Sequence, residues 1–77
     1  MDSSDFKFLP SAFKHGVSED DSLNAVLSPI FSKIYPDRPI ALIIGFDKSG
    51  KTIEVVYDIE TRTVFHAMPS KGLRNRT

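Results

Sequence analysis

Two segments of strand length dominate the pattern of apolar and polar positions. "IALIIGF" (Ile40–Phe46) is a near-continuous apolar run. "TIEVVYD" (Thr52–Asp58) sets Ile53, Val55 and Tyr57 against Glu54 and Asp58. β-Branched residues at a period of two predict strands. After the turn "IETR", "TVFHAM" (63–68) predicts a last strand. "IFSKIY" (30–35) alternates more loosely and predicts a first strand, closed by the two prolines of "PDRP".

Upstream the period changes. In "SEDDSLNAVLS" (18–28), Leu23, Val26 and Leu27 recur at three- and four-residue spacing, which predicts a helix with one apolar stripe. Ser18 with Asp21 forms a start like a capping box. Glu19, Asp20 and Asp21 sit at the positive end of the helix dipole, and Pro29 ends the helix. "PSAFKHG" (10–16) predicts a shorter first helix, with Pro10 in its first turn and Gly16 just past its end. The predicted order is α-α-β-β-β-β. This is an α+β domain in which two N-terminal helices pack on a three- to four-stranded antiparallel meander. Residues 10–69 form the domain. Residues 1–9 form a loose N-terminal segment with Phe6 and Phe8 as tethers, and residues 70–77 form a basic flexible tail.

The link between the two main strands, "GFDKSGKT" (45–52), matches the phosphate-cradling pattern G-x-x-x-x-G-K-[ST]. That loop needs a following helix, whose N-terminal N–H groups and dipole face the phosphates. Here a strand follows. A hairpin is the better expectation, with Asp47 opening a type I turn and Gly50 in the left-handed position that closes it.

Composition narrows the functional classes. At 77 residues the chain is one domain, and its small core gains from a partner or from oligomerisation. Ten basic and ten acidic residues cancel, which removes the global electrostatic argument for nucleic-acid binding but leaves room for a local basic patch. No cysteine is present, so neither a disulfide framework nor a thiolate metal site is available. Two histidines make an all-histidine metal site a poor expectation, and no cofactor is implied. No segment has the length of a membrane span, and "MDSSDFKFLPSAF" does not read as a secretion signal. A cytoplasmic location is the default.

Few side chains could carry chemistry. Lys14 and His15 fall at the end of the first predicted helix, where cations cap the dipole or face a phosphate. Glu54 is a carboxylate within an apolar strand, and His66 lies among apolar neighbours in the last strand. If opposed residue numbers in the last hairpin add to an even number, Glu54 and His66 share a face. An odd register separates them. A carboxylate and an imidazole on one face can transfer protons in RNA cleavage. Arg62, Lys71, Arg74 and Arg76 form a C-terminal basic group suited either to solvent or to RNA phosphate. Ile30, Phe31, Ile34 and Tyr35 form an apolar group that serves either as core or as a partner surface.

Two segments in order resemble the BrnT-like toxins of type II toxin–antitoxin systems. They are "KHGVSEDD" with Ser11 before it, and "DKSGKTIEVVYDIETRTVFHAMP"; together they span roughly residues 11–70. The resemblance implies a RelE-like fold and a metal-independent ribonuclease. It also implies inhibition by a cognate antitoxin, typically carrying a ribbon-helix-helix part, and action on RNA, free or on the ribosome. By position, Lys14 and His15 match the K-H-G element, and Glu54 lies in the matching strand. His66 and Met68 stand where many members have Ser and Arg, and the net charge is zero rather than basic. A non-catalytic protein-binding module of the same fold is the alternative expectation.

Overall fold

The computed structural model describes residues 5–70. Five strands form one sheet in the order β1-β5-β4-β3-β2: β1 Lys7–Phe8, β2 Phe31–Ile34, β3 Ile40–Phe46, β4 Thr52–Asp58 and β5 Thr63–Pro69. β2 to β5 run antiparallel to their neighbours, whereas β1 pairs with β5 in parallel, making the sheet mixed. One helix, α1 (Glu19–Leu27), crosses one face beneath β3 and β4.

This overturns the expected two helices on a three- to four-stranded antiparallel meander. The segment expected to be the first helix is a single 3-10 turn, Pro10–Phe13. Pro10 starts it, but Gly16 takes φ +82° and its N–H bonds to the Phe13 carbonyl, so the chain turns away before an α-helix can form. The segment before it is tethered. Phe6 is buried, Lys7 donates its N–H to the Arg62 carbonyl at 2.8 Å, and Leu9 donates to the Val64 carbonyl at 3.0 Å. Two residues carry too little pattern for a strand to be read from sequence.

α1 forms as its sequence dictates. Ser18 caps it by accepting the Asp21 N–H at 3.1 Å, and three acidic residues fill the first turn. Its buried face differs from the expected stripe. Ser22 and Ala25 point into the core, Leu23 and Val26 flank them, and Leu27 is exposed. The reason lies across the interface. A Cβ built on Gly45 would stand 2.7 Å from the Ala25 Cα and 2.8 Å from its carbonyl oxygen, so helix and sheet touch backbone to backbone. Only small residues fit beneath such a contact.

The core is completed by Phe6, Ala12, Val17, Ile43, Ile53, Val55, Val64 and Ala67. All of these lie on the helix side of the sheet or in the segments that cover it. The opposite face carries Leu42, Ile44, Glu54, Val56, His66 and Met68, all half-buried, with no described element above them. Among the described residues no helix is long and apolar enough to cross a membrane.

The contact at Gly45 yields a direct test. Gly45→Ala forces the helix outward and costs about 1–3 kcal/mol, the range for overpacking a filled core. Urea denaturation measures it. An unchanged midpoint would show that the approach of α1 is looser than described.

Candidate functional site

The hairpin β4–β5 decides where the candidate catalytic residues stand. Near its turn, Asp58 lies opposite Thr63 and Tyr57 opposite Val64. One step further, Val56 lies opposite His66 and Val55 opposite Ala67. Phe65 is therefore an extra residue, a β-bulge that changes the parity of the ladder. Beyond it the register is the even one, and Glu54 and His66 project from the same face. His66 Nε2 lies 3.2 Å from Glu54 Oε2, with both side chains about one-third exposed.

The bulge is held from outside the hairpin. The Ser11 hydroxyl donates to the Phe65 carbonyl at 2.8 Å. This contact places the 3-10 turn against β5 and brings the chain back towards the open face. As a result the His15 ring meets the His66 ring edge-on, with centroids 5.7 Å apart. Lys14, exposed, precedes it at the end of the 3-10 turn. Three of the four candidate catalytic residues, His15, Glu54 and His66, thus form one cluster on an apolar ground of Leu42, Val56 and Met68. Ser11 is a supporting residue that no local pattern marks, because its partner is 54 positions away.

The basic group is distributed differently. Arg62 occupies the β4–β5 turn at the opposite end of the strand, roughly 13 Å along β5 from His66 at a strand rise of about 3.3 Å per residue. It adopts φ +55° itself, a left-handed conformation uncommon for a residue other than glycine. Its guanidinium lies 3.2 Å from Asp5 Oδ2 and over the Phe6 ring, so it anchors the N-terminal segment away from the cluster. Lys71, Arg74 and Arg76 lie outside the described residues.

The loop 45–52 has no cradle geometry. Gly45 is filled from above by Ala25, and residues 48–50 form a three-residue hairpin loop with Gly50 at φ +92° and its N–H on the Asp47 carbonyl. Asp47 Oδ1 accepts from the Ser49 N–H, the Ser49 hydroxyl and the Lys51 N–H, at 2.8–2.9 Å. The turn is docked on α1, where the Lys48 N–H reaches Asp21 Oδ1 at 2.9 Å and the Asn24 side chain reaches the Phe46 carbonyl at 2.9 Å. Beside it, Gly50, Lys51, Thr52, Pro69 and Ser70 line a depression of about 540 Å³. It lies at the open end of the β4–β5 pair, and its lining includes none of His15, Glu54 and His66. Among the described residues, no group of three or more His, Asp or Glu is arranged to hold a metal ion.

Comparison with protein-family models, with curated proteins and with solved structures finds no significant match to this chain.

The Asp47 turn has a defined pH signature. Bonds from the Ser49 hydroxyl, and then from the Lys51 N–H, hold its carboxyl below the ordinary aspartate value. A lowered folded value means stabilisation that is full above the unfolded value and is lost as pH falls through the folded one. Asp47→Ala therefore lowers the urea midpoint at neutral pH, and its gap from the wild type narrows below about pH 4. A gap independent of pH would show that the carboxylate is not the stabilising form.

Proposed function

We propose that this chain is the toxin component of a toxin–antitoxin pair: a cytoplasmic, metal-independent ribonuclease blocked by an antitoxin. The reading rests on the Glu54–His66 hydrogen bond, with His15 against the same imidazole, on an open sheet face. The ordered resemblance of residues 11–70 supports it from the sequence side. It does not lean on the RelE-like architecture, which the sheet does not follow in its expected form.

RNA carries its own nucleophile. A base removes the proton of a 2′-hydroxyl, and the oxygen attacks the adjacent phosphorus. The bond to the 5′-oxygen breaks, and an acid protonates that oxygen. The products are a 2′,3′-cyclic phosphate and a 5′-hydroxyl. Base and acid must flank one phosphate. His66 is the base in this scheme, with Glu54 orienting its ring and stabilising the imidazolium that forms. His15 is the second imidazole and supplies the proton to the leaving oxygen. Lys14, adjacent in the chain, is the described cation best placed for the phosphate. Lys71 and Arg74 supply further phosphate contacts in this scheme, whereas Arg62 has a structural post near Asp5.

One observation favours the second reading, a protein-binding module without catalysis. Phe31, Ile34, Tyr35 and Phe46 are large apolar side chains that stand exposed. Such a surface suits a protein partner, and RNA cleavage is the readout that discriminates the two readings.

Induction of the chain in a bacterial host is expected to arrest growth with cleavage of RNA. With purified protein and RNA, His66→Gln and His15→Gln each lower the cleavage rate by about 10²–10⁴-fold, the usual contribution of a positioned acid or base. Arg62→Ala in a folded protein leaves it within a few-fold. Normal growth with intact RNA from a folded, soluble chain would move the assignment to the binding module.

A further inference from the structure

We propose that the free edge of β2 is a homodimer interface, across which two copies of this chain pair antiparallel and join their sheets into one of ten strands. The inference is independent of the ribonuclease reading.

β2 is an edge strand, and all four of its residues are exposed. Ile34 is 67% exposed and Phe31 50%, with Ile30 and Leu27 exposed beside them, so this edge collects much of the exposed apolar surface of the described residues. Edge strands template pairing unless short length, charge, a bulge or proline blunts them. β2 is four residues long and carries Lys33, which limits the registers it can accept. Here the prolines stand outside the strand: Pro29 precedes it and Pro36 follows it.

The backbone fixes what such an edge accepts. Tyr35 donates its N–H to the Ile40 carbonyl at 3.0 Å, so in the β2–β3 ladder residues 31, 33 and 35 bond inward. The N–H and C=O of Ser32 and Ile34 therefore point away from the sheet, and no described strand lies beyond them. A second copy related by a two-fold axis normal to the sheet presents the same groups in reverse.

Two registers satisfy the outward groups. One is centred on Lys33 and sets the two lysines directly opposite each other, an unfavourable like-charge pair. The other is centred on Ser32. It pairs Ser32 with Ser32 of the second copy, Ile30 with Ile34, and Phe31 with Lys33. Each Ser32 N–H then meets the other Ser32 carbonyl, and each Ile34 N–H meets an Ile30 carbonyl. The Ile30 N–H is already bonded to the Ile44 carbonyl at 2.8 Å and is not needed. The ladder 30–34 fits between Pro29 and Pro36 without including either. Charge and proline placement thus select one register. The same symmetry puts both open faces, and both Glu54–His66 pairs, on one side of the joined sheet.

The test is sedimentation equilibrium of the full chain at micromolar concentration, with two variants. The wild type is expected at twice the chain mass. Ser32→Pro removes only an outward N–H, which edge strands tolerate, and is expected to halve the mass while leaving the circular dichroism spectrum unchanged. The natural chain has no cysteine, so Ser32→Cys gives a single thiol. The two thiols of such a pair, with Cβ atoms about 5.5 Å apart, are within reach of a short bis-maleimide, which is expected to convert the chain to a covalent dimer. A monomeric wild type would overturn the proposal, as would a dimer that survives Ser32→Pro. If Ser32→Pro fails to fold, absence of cross-linking in Ser32→Cys overturns it instead.

Discussion

A β-strand sends its side chains to alternate faces, and a single extra residue reverses the assignment of everything that follows. In β5 that residue is Phe65. On the turn side of it Val64 points into the core, and on the far side Ala67 does so. Three positions separate them, an odd number that no regular strand can place on one face. The bulge lets both ends of β5 feed the same core, and it turns His66 outward to meet Glu54. The Ser11 hydroxyl on the Phe65 carbonyl ties this irregularity to the N-terminal segment, which in turn delivers His15. Fold and candidate site therefore share one cause.

The helix side depends on a second constraint of the same local kind. Gly45 and Ala25 bring backbone against backbone, so α1 lies close over β3 and β4, and its larger residues are displaced to the flanks. Gly45, the first residue of the phosphate-loop pattern, is explained by this contact. The rest of that loop is explained by Asp47, Ser49 and Gly50 acting as a turn. A strand follows where a phosphate loop would need a helix.

What could be read from the sequence was local. β3 and β4 were legible from run length and alternation, the hairpin from Asp47 and Gly50, and the start of α1 from Ser18 and its acidic first turn. What could not be read depended on partners distant in the chain. The parallel pairing of Lys7 and Phe8 with β5 involves two residues and no periodicity. The 3-10 turn looks helical from Pro10 and Gly16 alone. The buried face of α1 is set by Gly45 on another element rather than by its own apolar stripe. At the site, Glu54, His66 and His15 were identifiable as residue types, but their meeting was not, because the register turned on Phe65. Arg62 looked like a phosphate ligand by charge, and only the fold shows it beside Asp5 and Phe6.

The register beyond the bulge is open to direct observation. Val55 and Ala67 form a pair that does not exchange hydrogen bonds, with Cα atoms about 4.5 Å apart. The measurement is the set of Hα–Hα nuclear Overhauser contacts across β4–β5 in the isotopically labelled chain. The account predicts a strong contact from Val55 to Ala67 together with one from Tyr57 to Val64. A contact from Val55 to His66 in place of Ala67 would mean an unbroken ladder, with His66 on the helix side, and would contradict the site as well as the bulge.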